Sequence, residues 1–302
     1  MSYTSRLRKA FEGAPRLPLN QRSKYVLFSD CHRGTGSSND NFLKNQTLYI
    51  AALKYYLNAG YTYIELGDGD ELWENRDMTQ IIAAHSTAFQ LLSFFHRQGR
   101  LYLLYGNHDM VKQDYRYTSR CCSCYPCCCG NCPHLESQPL LPDARFYEGL
   151  ILENTGTQYT GSAQMPRDIY LTHGHQADLF NSTFWRLSRF LVRYVWQPLE
   201  HFGVLDPTSA AKNYTRKEQT EKRLHSFAQE NGILLITGHT HRPMLSEDLS
   251  YCNSGSCVHP YSITCIEIER MQISLIKWSL TAGADMRCVV VREVLAGPFP
   301  LG

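Results

Sequence analysis

Long apolar runs are missing from this sequence. No stretch approaches the ~20 consecutive apolar residues of a membrane-spanning helix, which excludes a helical membrane protein. Met1 to Asn20 is polar and basic and lacks the apolar core of a secretory signal, so the chain reads as cytoplasmic. A surplus of one charge is missing too: 30 Lys and Arg oppose 28 Asp and Glu, and a net charge of +2 argues against a surface dedicated to a polyanion. Basic residues interleaved with aromatics are not evident, so no nucleic-acid partner is expected and a nuclease is disfavoured. Cysteine is plentiful at 12, but seven of these (Cys121, Cys122, Cys124, Cys127, Cys128, Cys129 and Cys132) crowd one segment, so the total does not describe a disulfide framework.

What is present is ample core material: 43% of 302 residues are hydrophobic, enough for one large α/β domain or two small ones. A single domain over 1–302 is expected, with an N-terminal extension at 1–22, a Cys-rich insertion at 111–143 and a helical, lid-like insertion at 181–230. Lys24 to Ser29, Tyr61 to Leu66 and Arg100 to Tyr105 read as strands, separated by helices over Asp40 to Asn58 and Thr79 to Gln98 that stop at Gly60 and Gly99. Met110 to Asp143 shows no clear period and reads as an insertion or long loop. Phe146 to Glu153, Ile169 to Thr172 and Ile233 to Thr237 follow as strands. Asn181 to Glu230 is largely helical, broken by Pro198 and by Gly203 to Pro207. Four shorter strands, from Tyr251 to Val294, suggest an antiparallel half.

Five polar motifs stand where strands should run out: Asp30-Cys31-His32, Gly67-Asp68, Gly106-Asn107-His108-Asp109, His173-Gly174-His175 and Gly238-His239-Thr240-His241. Carboxyl ends of strands are where open α/β sheets place ligands. Any one motif could be a helix cap or a core histidine; five in order are not independent caps. Asp30, His32, Asp68, Asn107, His173, His239 and His241 supply the oxygens and imidazoles for two divalent cations, with His108 to spare. Asp68, after a glycine that admits close backbone approach, is the best bridge between them. The i, i+2 spacing of Asp30 with His32, and of His239 with His241, would send both side chains of each pair to one side of an extended segment. Cys31 reads as filler. His108 is left to stabilise charge or protonate a leaving oxygen. His85, His96, His134, His201, His225 and His259 read as structural, and His175 is divided between a role near the site and plain loop structure.

These motifs, D-x-H, GD, GNH[DE], H and GHxH, resemble the calcineurin-like metallophosphoesterase superfamily over about residues 24 to 280. The resemblance implies a four-layer αββα sandwich and a dinuclear centre. One metal would take Asp30, His32, Asp68 and His241, the other Asp68, Asn107, His173 and His239, with His108 catalytic and a bridging hydroxide as nucleophile. Within the superfamily, Gly67 to Trp73, Gly238 to Pro243 and the helical block look most similar to the UDP-2,3-diacylglucosamine hydrolases, where such a block is a lid over a lipid-linked substrate. A histidine at 108, where arginine is expected in many of those hydrolases, and the cysteine insertion are departures. Of Asp70, Glu71 and Glu74, Glu71 is chosen to orient His108 or a metal-bound water, because the related hydrolases are acidic there. Manganese is the first expectation for the two divalent ions; iron and zinc tolerate the same donors.

In the helical block Phe184, Leu187, Leu191, Val195 and Leu199 share one stripe, and Arg186, Arg189 and Arg193 another. An ordinary surface helix would look the same. The sharper reading gives Arg189 and Arg193 a substrate phosphate or diphosphate, lets Trp185 and Trp196 line an apolar opening, and allows peripheral membrane contact through 181–200. The Cys121–Cys132 cluster has two-residue spacings suited to zinc or iron–sulfur, but in overlapping register, and oxidisable loop thiols are the competing reading. Hydrolysis of a phosphomonoester, phosphodiester or diphosphate on a small phosphorylated substrate, nucleotide- or lipid-linked, leads; a non-catalytic scaffold of the same fold is the alternative.

Overall fold

The computed structural model describes residues 2–37, 40–125, 138–155, 167–196, 214–283 and 286–301. In chain order the elements are α1 (Tyr3–Phe11), β1 (Arg16–Leu19), β2 (Lys24–Phe28), α2 (Gln46–Asn58), β3 (Thr62–Leu66), α3 (Met78–Ala84), α4 (Ser86–Arg97), β4 (Leu101–Leu104), α5 (Tyr115–Cys121), β5 (Phe146–Tyr147), β6 (Gly149–Asn154) and β7 (Ile169–Thr172). There follow α6 (Leu179–Ser182), α7 (Trp185–Leu191), α8 (Tyr214–Asn231), β8 (Leu234–Thr237), β9 (Met244–Leu245), β10 (Tyr251–Asn253), β11 (Ser262–Glu269), β12 (Gln272–Ala282) and β13 (Cys288–Pro300).

Two sheets stack face to face. One runs β13-β12-β11-β2-β3-β4-β5 and the other β1-β6-β7-β8-β10-β9. β2 to β5 are mutually parallel, as strands joined by crossover helices must be, while β11, β12 and β13 add antiparallel strands. Leu27, Ile64, Leu66, Leu104 and Ile266 of the first sheet meet Leu150, Leu171, Leu234 and Ile236 of the second in a buried layer. The first sheet's other face, with Val26, Phe28, Tyr63 and Cys265, packs on Leu48, Ala52 and Tyr56 of α2 and Phe89, Leu92 and Phe95 of α4. Leu7 of α1 and Leu224, Phe227 and Ala228 of α8 cover Leu235 and Tyr251 of the second sheet. The fold is therefore an αββα sandwich of mixed α/β class.

The structure differs from expectation in three places. The N-terminal extension holds elements where no helix or strand was expected: Ser2 caps α1 by accepting from the Ser5 N–H, and Arg16–Leu19 pairs with β6 at the sheet edge, where Pro18 is tolerated. The helix expected over Thr79 to Gln98 breaks at His85 (φ −115°, ψ 33°), whose ring is held by Asp40 at 2.7 Å and Gln46 at 3.1 Å. The Cys-rich segment begins as ordered structure: α5 and a 3-10 turn at Met110–Gln113 lead to Cys121 and Cys122, packed on the α2/α4 core, and Cys124 bridges Pro139. Cys127, Cys128, Cys129, Cys132 and His134 lie outside the described residues, as do Pro198, Leu199, His201 and Gly203 to Pro207. Among the described residues no helix is long and apolar enough to cross a membrane.

Candidate metal centre

The carboxyl ends of β2, β3, β4, β7 and β8 converge where the two sheets meet, and each delivers one of the five motifs. The seven expected ligands are brought together. Asp30, His32 and His241 form one group of ligand atoms within 4.8 Å of one another, and Asp68, His173 and His239 another. Asp68 stands between them, its Oδ2 3.1 Å from His173 Nε2 and 3.8 Å from His32 Nε2. Asn107 Oδ1 lies 3.2 Å from His173 Nε2.

These pairs do not meet through an extended backbone. Asp30 (φ 52°), His32 (φ 48°), Asp68 (φ 50°), His239 (φ 69°) and His241 (φ 57°) are all left-handed, a conformation that strains residues other than glycine. Long-range bonds to the neighbouring strand end, from Asp30 N–H to the Gly67 carbonyl (3.1 Å) and from His32 N–H to the Asp68 carbonyl (2.9 Å), hold this backbone and aim the side chains instead. Gly106 is fixed by the same crowding: a Cβ there would stand 2.2 Å from Asp68 Oδ1. Gly106→Ala is accordingly expected to displace the Asp68 carboxylate and weaken metal binding by at least ~10-fold, the scale on which disturbed support shells act; equilibrium dialysis showing unaltered affinity would refute it.

The donor chemistry fits divalent cations. His173 Nδ1–H donates to the Leu66 carbonyl at 2.9 Å, so Nε2 is the nitrogen turned to the oxygens of Asp68 and Asn107, and it becomes a lone pair there once its proton leaves. His32 Nδ1–H donates to Glu71 Oε2 at 2.8 Å, which turns Nε2 to within 3.3 Å of His241 Nε2. His239 Nε2 is buried without a partner, and Asp30 Oδ1 makes no properly directed bond although His241 Nε2 is 3.0 Å away. Acceptors thus converge on acceptors. A proton can fill one such gap: burial disfavours a charged His173, yet Asp68 and Asp30 outweigh it and carry the pKa to about 9. Cation binding would displace that proton. Burial, then His173, push His239 down to about 4, leaving it a neutral donor.

Glu71 serves two imidazoles. Oε2 holds His32, and Oε1 accepts from His108 Nδ1–H at 2.8 Å, while Trp73 stacks on the His108 ring (4.3 Å, 21°). The His108 N–H also donates to Asp68 Oδ1 at 2.8 Å. Burial opposes a charge on His108, but Glu71 and Asp68 outweigh it and raise its pKa.

The remaining expectations fall differently. His175 is buried behind His173 (rings 5.6 Å apart), and burial, His173 and His239 push its pKa well down; it has no exposure to an open cleft. Arg193 is spent on backbone, donating to the carbonyls of Trp73 (2.7 Å), Leu72 (2.7 Å) and Asn75 (3.2 Å). Arg189 lies 4.9 Å from the Trp185 ring. Along α7 the face turned inward is Ser188 and Val192, while Phe184, Leu187 and Val195 of the expected apolar stripe, together with Phe190 and Tyr194, are exposed. Cys31 packs into the core as filler.

Sequence reasoning missed the layer beneath. Asp109 Oδ1 accepts from the Gly106 N–H (2.7 Å) and Oδ2 from the Gly69 N–H (3.1 Å), clamping the second and third motifs together. Lys112 bridges Asp109 and Asp70, and Arg33 pairs Asp70 (2.7 Å) with Glu65 (2.9 Å), all buried. Asn253 supports the fifth motif by donating to the Gly238 carbonyl at 2.6 Å. Adjacency to the motifs was the available signal for Arg33; Asp70 is one of the three acids from which Glu71 is chosen, and Asp109 stands in the third motif, where sequence gives it no role; for Asn253 there was no signal.

Fold and donors together define a metal-binding α/β protein whose site lies at the strand ends of two stacked sheets. The chain belongs to the calcineurin-like phosphoesterase family, whose model matches residues 23–243. Membership makes hydrolase chemistry with divalent metals the family assignment. A crystal structure of a conserved uncharacterized protein, a predicted phosphoesterase from Streptococcus pneumoniae TIGR4, is 13% identical with a TM-score of 0.34, covering 90% of this chain and 97% of that one. Chaetomium thermophilum Vps29 is 11% identical with a TM-score of 0.38, covering 90% and 96%. No curated protein matches the chain.

Proposed function

We propose that the protein is a dinuclear phosphoesterase, with Asp30, His32, Asp68 and His241 holding one divalent cation, Asp68, Asn107, His173 and His239 the other, and manganese the first candidate. The observation that carries this reading is His108: a histidine outside both donor groups, oriented by Glu71 and Trp73, with its backbone tied to the bridging Asp68. The cations, when bound, supply Lewis acidity that polarises a phosphoryl oxygen and makes water acidic enough to attack at neutral pH. His108, its Nδ1–H committed to Glu71, turns Nε2 to the substrate and gives a proton to the departing oxygen. Glu71 pairs with His108 as the imidazolium, protonated on both nitrogens so that Nε2 has a proton to give, and holds His32 in the Nδ1–H tautomer whose Nε2 is left bare for a cation. A structural scaffold has no chemical need for that orientation.

Metal-free protein given manganese is expected to turn over p-nitrophenyl phosphate or its bis ester, and His108→Ala to lower kcat by roughly 10²-fold with metal content retained. Full metal loading without turnover on either ester would instead favour the scaffold. The exposed Phe184, Leu187, Phe190 and Tyr194 beside the site support an apolar or lipid-linked substrate, the diphosphatase form of this reading, and a membrane-facing role for 181–196.

A further inference from the structure

Three guanidinium groups stand beside the Trp73 loop, and among the described residues none of them forms an ion pair. Arg193 pins the turn after α7 to the carbonyls of Leu72, Trp73 and Asn75, and the Trp73 ring is the one stacked on His108. Arg189 lies one helical turn earlier, its Cζ 4.9 Å from the centre of the Trp185 ring. Arg76 follows Asn75 in the pinned loop; it donates to Tyr194 Oη at 2.9 Å and lies 5.5 Å over that ring. Among the described residues none of the three has a carboxylate within ion-pair distance. Of the carboxylates of this region, Glu71 is engaged on its two histidines and Asp77 on Thr79, and Glu74 of the pinned loop forms no ion pair with any of the three arginines.

Like charges so crowded repel, and burial together with Arg189 and Arg76 pulls the Arg193 pKa down. The protein keeps them together with aromatic faces and backbone carbonyls, neither of which neutralises charge. Arg76 is exposed and Arg189 half-exposed, so both remain open to a ligand, whereas Arg193 has its Nε and Nη2 donors committed to backbone. Guanidinium forks suit phosphate oxygens.

We propose that Arg76 and Arg189 form a subsite for a second phosphate of the substrate, across Trp73 from the phosphate that reaches the metal centre, with Arg193 as the tether that sets their positions. The substrate class is then a polyphosphate or diphosphate compound in preference to a simple monoester. This deepens the phosphoesterase reading and rests on it for the word substrate, but its test needs no turnover.

Calorimetric titration of the metal-loaded protein with AMP, α,β-methylene ADP and β,γ-methylene ATP reads the subsite as an affinity ratio along the series. The wild-type protein is expected to bind the triphosphate at least ~10-fold tighter than AMP, the low end for one charge-assisted hydrogen bond, and Arg76→Ala/Arg189→Ala to flatten the series to within about 2-fold. Thermal melting of the double variant checks that it is folded. A flat series in the wild type, or an equal rise in the variant, overturns the subsite. A rise that the variant loses, in a protein that hydrolyses neither nitrophenyl ester nor ADP, sustains the subsite and removes the enzyme; turnover with a flat series does the reverse.

Discussion

Asp68→Asn is expected to cut kcat/KM for a nitrophenyl phosphate ester by ~10³-fold or more and to lower bound metal below two ions per chain, with the fold intact. The carboxylate spans both donor groups and also accepts the His108 N–H, so one side chain couples metal to metal and metal to the proposed acid. Asparagine keeps Oδ1 for that N–H. It removes the charge that screens the repulsion between two cations and sets an amide N–H₂ where Oδ2 faced His173. Bound cations contribute several kcal/mol of charge stabilisation, and each 1.4 kcal/mol is a decade in rate, hence the estimate. Metal analysis and steady-state kinetics on one preparation make the test. Two ions bound with wild-type kinetics would exclude Asp68 as the bridge; lost activity with both ions retained would reassign it to positioning His108.

Much of this candidate centre was legible because its candidate ligands are short polar motifs on strongly apolar strands. Phe28, Leu66, Leu104, Thr172 and Thr237 end buried strands, so the residues after them had to emerge at one rim. The two-sheet, four-layer arrangement followed from the same motifs through family resemblance. What sequence could not supply was backbone conformation at the motifs. The i, i+2 pairs imply an extended segment by period alone, and only tertiary contacts such as Gly67 and Asp68 carbonyls against β2 hold Asp30 and His32 at positive φ. Edge strand β1 escaped for a related reason: Arg16-Leu17-Pro18-Leu19 is too short and contains a proline, and it becomes a strand only because β6 offers a parallel edge. In α7, helical periodicity found the apolar stripe but not its direction, since the inward face is chosen by Arg193 gripping the Trp73 loop.

The second large effect concerns stability. Lys112→Met is expected to destabilise the fold by about 3–5 kcal/mol, because removing one member of a buried ionic network strands the charges it served. Lys112 is 1% exposed and lies between Asp70 and Asp109, and Arg33 on the far side of Asp70 must also answer Glu65. The described cluster therefore holds three carboxylates against two cations, and loss of Lys112 leaves three against one. Burial alone would raise Asp70, but Arg33 and Lys112 outweigh it and hold its carboxyl at about 2, below the ordinary 3.8. A depressed carboxyl contributes stability that is complete above the unfolded value and is lost as pH falls through the folded one, so the wild-type contribution should fade between about 3.8 and about 2. In Lys112→Met the Asp70 value rises and the fade moves to higher pH. At roughly 2–4 °C per kcal/mol the melting temperature should drop by about 10 °C. Because Asp109 also clamps Gly69 and Gly106, metal affinity should weaken in parallel, whereas Lys112→Met/Asp70→Asn should recover part of the stability by removing a stranded charge. A melting temperature within 2 °C of wild type for the single variant, or no recovery in the double, would show that the network does not couple as its geometry implies.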